Sequence, residues 1–387
     1  MTTPAYIDIH ALQTLPYSNV NRDDLGAPKN LVFGGVERTR VSSQSWKRVI
    51  RKEVEKQLGA DEETVRTRRV VVGVAEHLAE QGWSREEAEA AGIQVALSAG
   101  NGISLKQEQN EREEQVLTTN VLLLLPEAGI AELANLAAEH HEAILAEQQR
   151  KKKPREKTQP VLPGKDIAKI LGRRSATINL FGRMLAELPG ANVDGAVQMA
   201  HAFTTHATRV EYDFFAAVDD VEEKLNLPGS GHINTAMFSA GTFYRYANLD
   251  LAGLVANLNG DTTLAVTLIS AFLDAFIRTL PSGKKNATAP STAPELVHIG
   301  VRDDRPVSLA SAFEAPLYSE QGHLQDSAER MDSHAAAIYR LLGAEHTLWS
   351  GHTASDNVAE PEHLGLAQPS FDDLVAAAVA ACQEDHQ

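Results

Sequence analysis

The segment 61–192 sets the layout of this chain. It is rich in Ala, Glu, Gln and Arg, with helical stretches near Arg66–Gln81 and Ile130–Gln149 and one short strand-like run at Thr118–Leu125. On either side of it the period-2 alternation of strands prevails. Before it, Tyr6, Ile7, Asp8, Ile9, His10, Ala11 and Leu12 form a nearly alternating run that predicts a strand. After it, Val197, Met199, His201 and Phe203 alternate with Gln198, Ala200, Ala202 and Thr204, which predicts a half-buried strand. Strands are also predicted over Met237–Ala247 and Glu295–Val301, and helices over Asp261–Leu280, Gln325–Leu342 and Phe371–Cys382. A helical block placed inside such a mixture reads as an insertion into an α+β or α/β core.

Helix periodicity in the first part begins at Trp46. Trp46, Ile50, Val54 and Leu58 recur every four residues with Val49 beside them, while Lys47, Arg48, Arg51 and Lys52 fall off that apolar stripe. Between Arg38 and Lys52 there are six basic residues and no acidic one, in a chain whose formal net charge is -16. Ser42 or Ser43 is placed to cap the helix, leaving free N–H groups and the positive end of the helix dipole where a phosphate would sit. Gly34 and Gly35 permit a tight turn just upstream. From this segment alone, a capped solvated helix and a polyanion site are equally good readings.

With 387 residues, 43% of them hydrophobic, the chain can bury a sizeable core and form more than one compact unit. Its acidic balance argues against a general nucleic-acid binder with a basic surface, so any anion site is local. Cys382 is the only cysteine, which excludes an internal disulfide and a zinc ribbon and makes the cytoplasm the expected location. MTTPAYIDIH lacks a basic region followed by an apolar one, and the longest apolar run, Val121–Leu125, stops at Pro126. Neither export nor a membrane span is expected.

The loop PYSNVNRDDLGAPKN is rich in turn formers, and Arg22 and Lys29 are placed to reach a ligand from it. Asp23 and Asp24 lack further ligands at a metal spacing, and Asx turns account for them. His201 and His206 fall on opposite faces of the predicted strand and read as satisfied histidines. Gly100–Gln115 reads as an exposed loop. The run Arg150–Lys157 reads either as a Pro-broken solvated loop or, with Lys165, Lys169, Arg173 and Arg174, as a phosphate-contacting surface. Phe214 and Phe215 lie on the outward arm of an excursion that Pro228, Gly229 and Gly231 turn back. PGSGH has no Lys-Ser/Thr after it, and there is no Gly-x-Ser-x-Gly, His-Glu-x-x-His or cysteine nucleophile set, so catalysis is not expected.

A set of motifs then falls in register: NRDD from Asn21, FGG from Phe33, R-x-R-V-S-S-Q-S from Arg38, KR from Lys47, DGA from Asp194, AHAFTTH from Ala200, FFAAVDD from Phe214, FSAGTFYRYANLDL from Phe238 and SLASAFEAP from Ser308. In order and spacing they resemble the backbone subunit of the type I-E CRISPR surveillance complex, the CasC family of Cascade. The resemblance spans almost the whole chain and is weakest from about Ala60 to Thr177.

It implies an RNA-recognition-motif-like (ferredoxin-like) palm over 1–60, 193–207 and 239–387, helical fingers over 61–192 and a β-hairpin thumb over 208–238. It also implies copies stacking head to tail along a CRISPR guide RNA, with other Cascade subunits as partners and target DNA reached through the guide. Arg22, Lys29, Arg40, Ser42, Gln44, Ser45, Lys47, Arg48 and Arg51 are then the residues for guide phosphates and 2'-hydroxyls, since a protein that accepts any spacer reads the backbone. Met184, Phe214 and Phe215 would wedge against a displaced nucleotide, core packing being the other reading of the two phenylalanines. Lys151, Lys152 and Lys153 would touch target DNA. The palm lacks the aromatic-rich signature that stacks bases on a sheet face, so backbone clamping is expected. No cofactor and no metal is implied. The alternative is a metal-dependent ribonuclease subunit of a type III-like effector, using Asp23 or Asp24; a filament protein without nucleic acid is a further class.

Overall fold

The computed structural model describes residues 3–100, 102–109, 115–150, 157–217 and 232–384. Its contacts divide it into two compact units, Met1–Glu53 with Val197–Gln387, and Val54–Ala196. The expected insertion 61–192 lies inside the second.

The first unit opens with β1 (Tyr6–Ser18), β2 (Asn30–Phe33), β3 (Val36–Val41) and the helix α1 (Ser43–Leu58), whose last turn belongs to the second unit. The second unit carries β4 (Thr64–Thr67), α2 (Val70–Glu80), α3 (Arg85–Ser98), β5 (Leu105–Gln109), β6 (Gln115–Thr119), β7 (Leu123–Pro126), α4 (Ala128–Glu139), α5 (His141–Gln149), α6 (Gly164–Leu171) and α7 (Ala176–Phe181). The chain then returns with β8 (Val197–Met199), β9 (Ala202–Thr204), β10 (Glu211–Ala217), β11 (His232–Asp250), α8 (Leu251–Asn257), α9 (Thr262–Arg278), α10 (Lys285–Thr288), β12 (Leu296–Arg302), α11 (Leu324–Leu342), β13 (Thr347–Ala354), β14 (Leu366–Ala367) and α12 (Phe371–Ala381).

The first unit is built on one ten-stranded sheet in the order β14-β13-β12-β1-β11-β9-β3-β2, with β8 and β10 also pairing with β11. All pairs are antiparallel except β13–β14. Taken in chain order, β1, α1, β9, β11, α9 and β12 form a βαββαβ series whose strands lie in the order β12-β1-β11-β9. Strand β1 is central, and both of its faces are buried: Ile7, Ile9 and Ala11 on one, Asp8, His10 and Leu12 on the other. On the first face α1 and α9 meet the sheet, where Trp46 and Phe276 pack on the Arg245 guanidinium.

The opposite face is itself a core. The sheet does carry aromatics there, Tyr244 and Tyr246, but they pack in a core with Leu12, Phe203, Leu296, Phe313, Met331 and Tyr339, contributed in part by α11. The Tyr244 hydroxyl accepts from Leu309 N at 2.9 Å, and the Tyr246 hydroxyl donates to Asp8 Oδ1 at 2.7 Å. No base can stack on this face because the protein already covers it. The Asp8 carboxyl, buried within that core, is pushed up to about 7 by burial, against the opposing bonds from Tyr246 and Val307.

The second unit packs α2, α3 and α4 through Val74, Leu78, Ala91, Val95, Leu133 and Ala137. Local readings differ here in instructive ways. The expected strand Thr118–Leu125 is the end of β6 and the start of β7, interrupted where Asn120 turns its side chain to Ser104 N and Gly102 O. The polar stretch Gly100–Gln115 supplies the strand β5, largely exposed, which pairs antiparallel with β6. Arg66–Gln81 divides into β4 and α2, and Ile130–Gln149 breaks at His140. No helix among the described residues is long and apolar enough to cross a membrane.

Candidate nucleic-acid interface

The β2–β3 hairpin turns through Gly34 and Gly35, whose φ values are 64° and 79°. A Cβ at Gly34 would collide with the carbonyl oxygen of Glu314, so the position takes only glycine. Arg38 fastens the hairpin to the core: Nε donates to Phe33 O at 3.0 Å, Nη1 to Thr204 O at 2.9 Å and Nη2 to Phe313 O at 2.7 Å. The side chain is fully buried. One of the six basic residues of this stretch is therefore an internal strut and adds nothing to the surface.

Two residues along β3, Arg40 is half-exposed; its Nε donates to Asn30 O at 3.2 Å and its Nη groups carry no bond among the described residues. Lys29 is paired with it through the backbone, Arg40 N donating to Lys29 O at 2.8 Å. Asn21 ties the preceding loop to α1, its Oδ1 accepting from Ser42 N at 2.8 Å. Arg22 is exposed in that loop, bridged to Pro28. Asp23 Oδ1 accepts from Leu25 N and Ala27 N, both at 2.9 Å, which is the expected Asx turn.

Helix α1 starts at Ser43, three residues before the Trp46 at which its apolar stripe begins, and its cap is one of the two serines expected. Ser42 is its cap: its carbonyl accepts from Ser45 N and Trp46 N, and its buried hydroxyl accepts from Ser45 N at 3.4 Å. Ser43 N, a first-turn amide, donates to His201 Nδ1 at 3.0 Å. Accepting at Nδ1 fixes the neutral tautomer and leaves Nε2–H as a donor. Pairing of Val41 with Ala202 brings His201 to the start of α1, and the Arg40 N bond to Lys29 O keeps those two cations beside it; burial and then their charges hold the imidazole below its ordinary value. Sequence reasoning missed His201: it tested the residue as a metal ligand or core histidine, and the only pointer to the cationic group was tertiary proximity.

The remaining α1 residues differ in availability. Gln44 and Arg48 are exposed, Ser45 and Arg51 half-buried, and Arg51 has partners of its own. Lys47 is tethered: Nζ donates to Val197 O at 3.3 Å, and burial lowers its pKa.

In the hairpin of β10 and β11, Phe214 pairs with Thr235 and Phe215 with Asn234. Alternation puts Tyr212 and Phe214 on one face and Asp213 and Phe215 on the other. Phe214 is 68% exposed, so it has no core to pack in. Phe215 is 40% exposed and lines a groove with Tyr17, Phe238 and Lys284. Residues 218–231, the outer part of the expected thumb, fall outside the described residues.

In the second unit Met184 is 87% exposed. Its neighbour Arg183 is buried and donates to the carbonyls of Ala191, Arg173 and Gly172, which anchors the backbone beneath the exposed thioether. Arg173 pairs with Glu132 and Arg150 with Glu147, so these two cations of the expected basic surface are neutralised locally. Lys151, Lys152 and Lys153 lie outside the described residues.

Among the described residues the one group with ligand atoms close enough for a metal is Asp303, Asp304 and His346. Arg302 holds Asp304 at 2.8 Å and His346 holds Asp303 at 2.9 Å, ion pairs that account for the cluster.

Three comparisons bear on this geometry. A search of curated proteins finds no match. Among solved structures, a chain of a "CRISPR RNA-guided surveillance complex, pre-nicking" is 47% identical, with a TM-score of 0.87, over 97% of this chain and 100% of that one. A chain of a "CRISPR RNA-guided surveillance complex" is 42% identical, with a TM-score of 0.79, over 97% and 99%. The model of the CT1975-like protein family matches residues 7–377, and with a match of that extent the chain belongs to the CT1975-like family.

Proposed function

We propose that this chain is a component of a CRISPR RNA-guided surveillance complex, and within it the non-catalytic crRNA-binding backbone subunit of the type I-E Cascade. In this reading several copies stack along the guide and present it for pairing with target DNA. The observation that carries the reading is the gathering of Lys29, Arg40 and His201 around the first turn of α1, in a chain of net charge -16. The positive end of the helix dipole, the His201 Nε2–H and the unbonded guanidinium donors of Arg40 at one point suit phosphate oxygens. Charged donors of this kind read phosphates and not base edges, as a protein serving any spacer requires.

The βαββαβ strand order supports a ferredoxin-like palm, and the exposed Phe214 and Met184 support apolar contacts that accept every base. Asp23 spends Oδ1 on two backbone amides of its own turn, which favours the turn-forming role over a nuclease role for that residue. The test is co-expression with a repeat–spacer transcript and the other subunits. The recovered particle should carry RNA by its absorbance ratio, and a particle assembled without RNA would overturn the reading.

A further inference from the structure

Arg245 stands in the middle of β11, 2% exposed, with its guanidinium carbon 3.8 Å from the ring centroid of Trp46 and 4.5 Å from that of Phe276. Nη1 donates to Gln13 Oε1 at 2.7 Å and Nη2 to Phe276 O. Nε–H finds no acceptor among the described residues, and neither does the buried Nε1–H of Trp46. No carboxylate among the described residues pairs with it. Burial pushes the guanidinium down to about 9, still charged at neutral pH.

Stability does not explain this residue. Stripping water from a cation costs more than two neutral acceptors and two ring faces return, and an apolar side chain of similar length would fill the slot more cheaply. The same fold shows the contrast: Arg302, just as deeply buried, has Asp304 at 2.8 Å. At Arg245 the charge is left standing.

Its location gives that charge a use. Trp46 belongs to the first turn of α1, whose Ser43 amide meets His201 beside Lys29 and Arg40. A charge inside the protein acts on that turn through a medium of lower dielectric than water that salt does not enter. We infer that Arg245 is an electrostatic positioning residue for the anion site at the start of α1. Held beneath Trp46 and left unneutralised, it raises the affinity of that turn for an RNA phosphate without touching it. This rests on the reading of the α1 start as an RNA-backbone contact.

Full-length wild-type chain and the variants Arg245→Met, Arg245→Lys, Arg245→Gln and Arg40→Ala are titrated with single-stranded RNA of two unrelated sequences at several salt concentrations. Arg245→Met should weaken binding on the order of tenfold at every salt concentration, the size expected of one unscreened unit charge acting through protein of effective dielectric about 20. Its log–log salt slope should stay at the wild-type value, since no phosphate contact is lost, and its melting temperature should equal or exceed wild type. Arg40→Ala should instead flatten the slope by about 0.7. Should Arg245→Met not fold, the Lys and Gln pair decides: Lys keeps the affinity and Gln loses it. Wild-type affinity in the neutral variants, a flattened slope, or equal behaviour of Lys and Gln overturns the inference. If Arg40→Ala also binds RNA as wild type does, the RNA-backbone reading itself fails.

Discussion

Removing Lys29 and Arg40 together is the sharpest perturbation of the proposed interface. Neither side chain is part of the core: the Lys29 ammonium carries no bond among the described residues, and Arg40 uses Nε alone, on Asn30 O at 3.2 Å. The double variant Lys29→Ala, Arg40→Ala should therefore fold normally, with a stability change within about 0.5 kcal/mol per site. Each lost contact to a single-stranded phosphate removes about 0.7 from the slope of log affinity against log salt, so the pair should flatten it by about 1.4. Over a fourfold change in salt this means the variant loses ~7-fold less affinity than wild type does. The assay is fluorescence anisotropy with guide-length RNAs of unrelated sequence, each followed through a salt series. A slope equal to wild type, or a loss confined to one RNA sequence, would refute the phosphate assignment.

Phe214→Ala should leave the melting temperature almost unchanged, since the ring is largely exposed, yet impair guide loading or duplex formation; a large fall in melting temperature would restore the packing reading. Gly34→Ala should destabilise by about 3 kcal/mol, combining the left-handed backbone with a collision at Glu314 O, whereas Gly35→Ala has open space and should cost only about 1 kcal/mol in chemical denaturation. Asp23→Ala should cost about 1 kcal/mol through its turn and leave bound complementary RNA intact with magnesium, as in wild type. Wild-type cleavage lost in that variant would favour a nuclease. His206 and His298, both pushed down to about 4 mainly by burial, contribute stability above pH 6.5 that is lost as pH falls towards 4. Asp8, raised to about 7, has the opposite sign: its contribution is complete below pH 3.8 and is lost as pH rises through 7. Asp8→Asn, whose amide can serve both Tyr246 and Val307, should therefore lose melting temperature more steeply between pH 7 and pH 5 than wild type.

The helix α1 was legible because its stripe is a local periodicity: Trp46, Ile50 and Val54 are all buried, and Arg48 and Lys52 are exposed. Strand ends were less legible. The run from Val197 splits into β8 and β9, since alternation records burial and not where pairing with β11 stops. Strand β13 was not anticipated; TLWSGHTA takes its strand character from its partner β12.

Sequence alone determined the layout, a helical block set into a strand-rich chain, and located the cationic segment within an acidic whole. Both depend on residue type and spacing along the chain, which folding does not alter. Tertiary structure decided what each charge does. Arg38 and Arg40 are two residues apart and chemically identical, yet one is bound by four backbone carbonyls and the other keeps its Nη donors unbonded. His201 joined the interface, and the aromatics of FYRYAN left it for the core under α11, through contacts between residues far apart in sequence. Such contacts are set by how sheet and helices pack, and no local pattern encodes them.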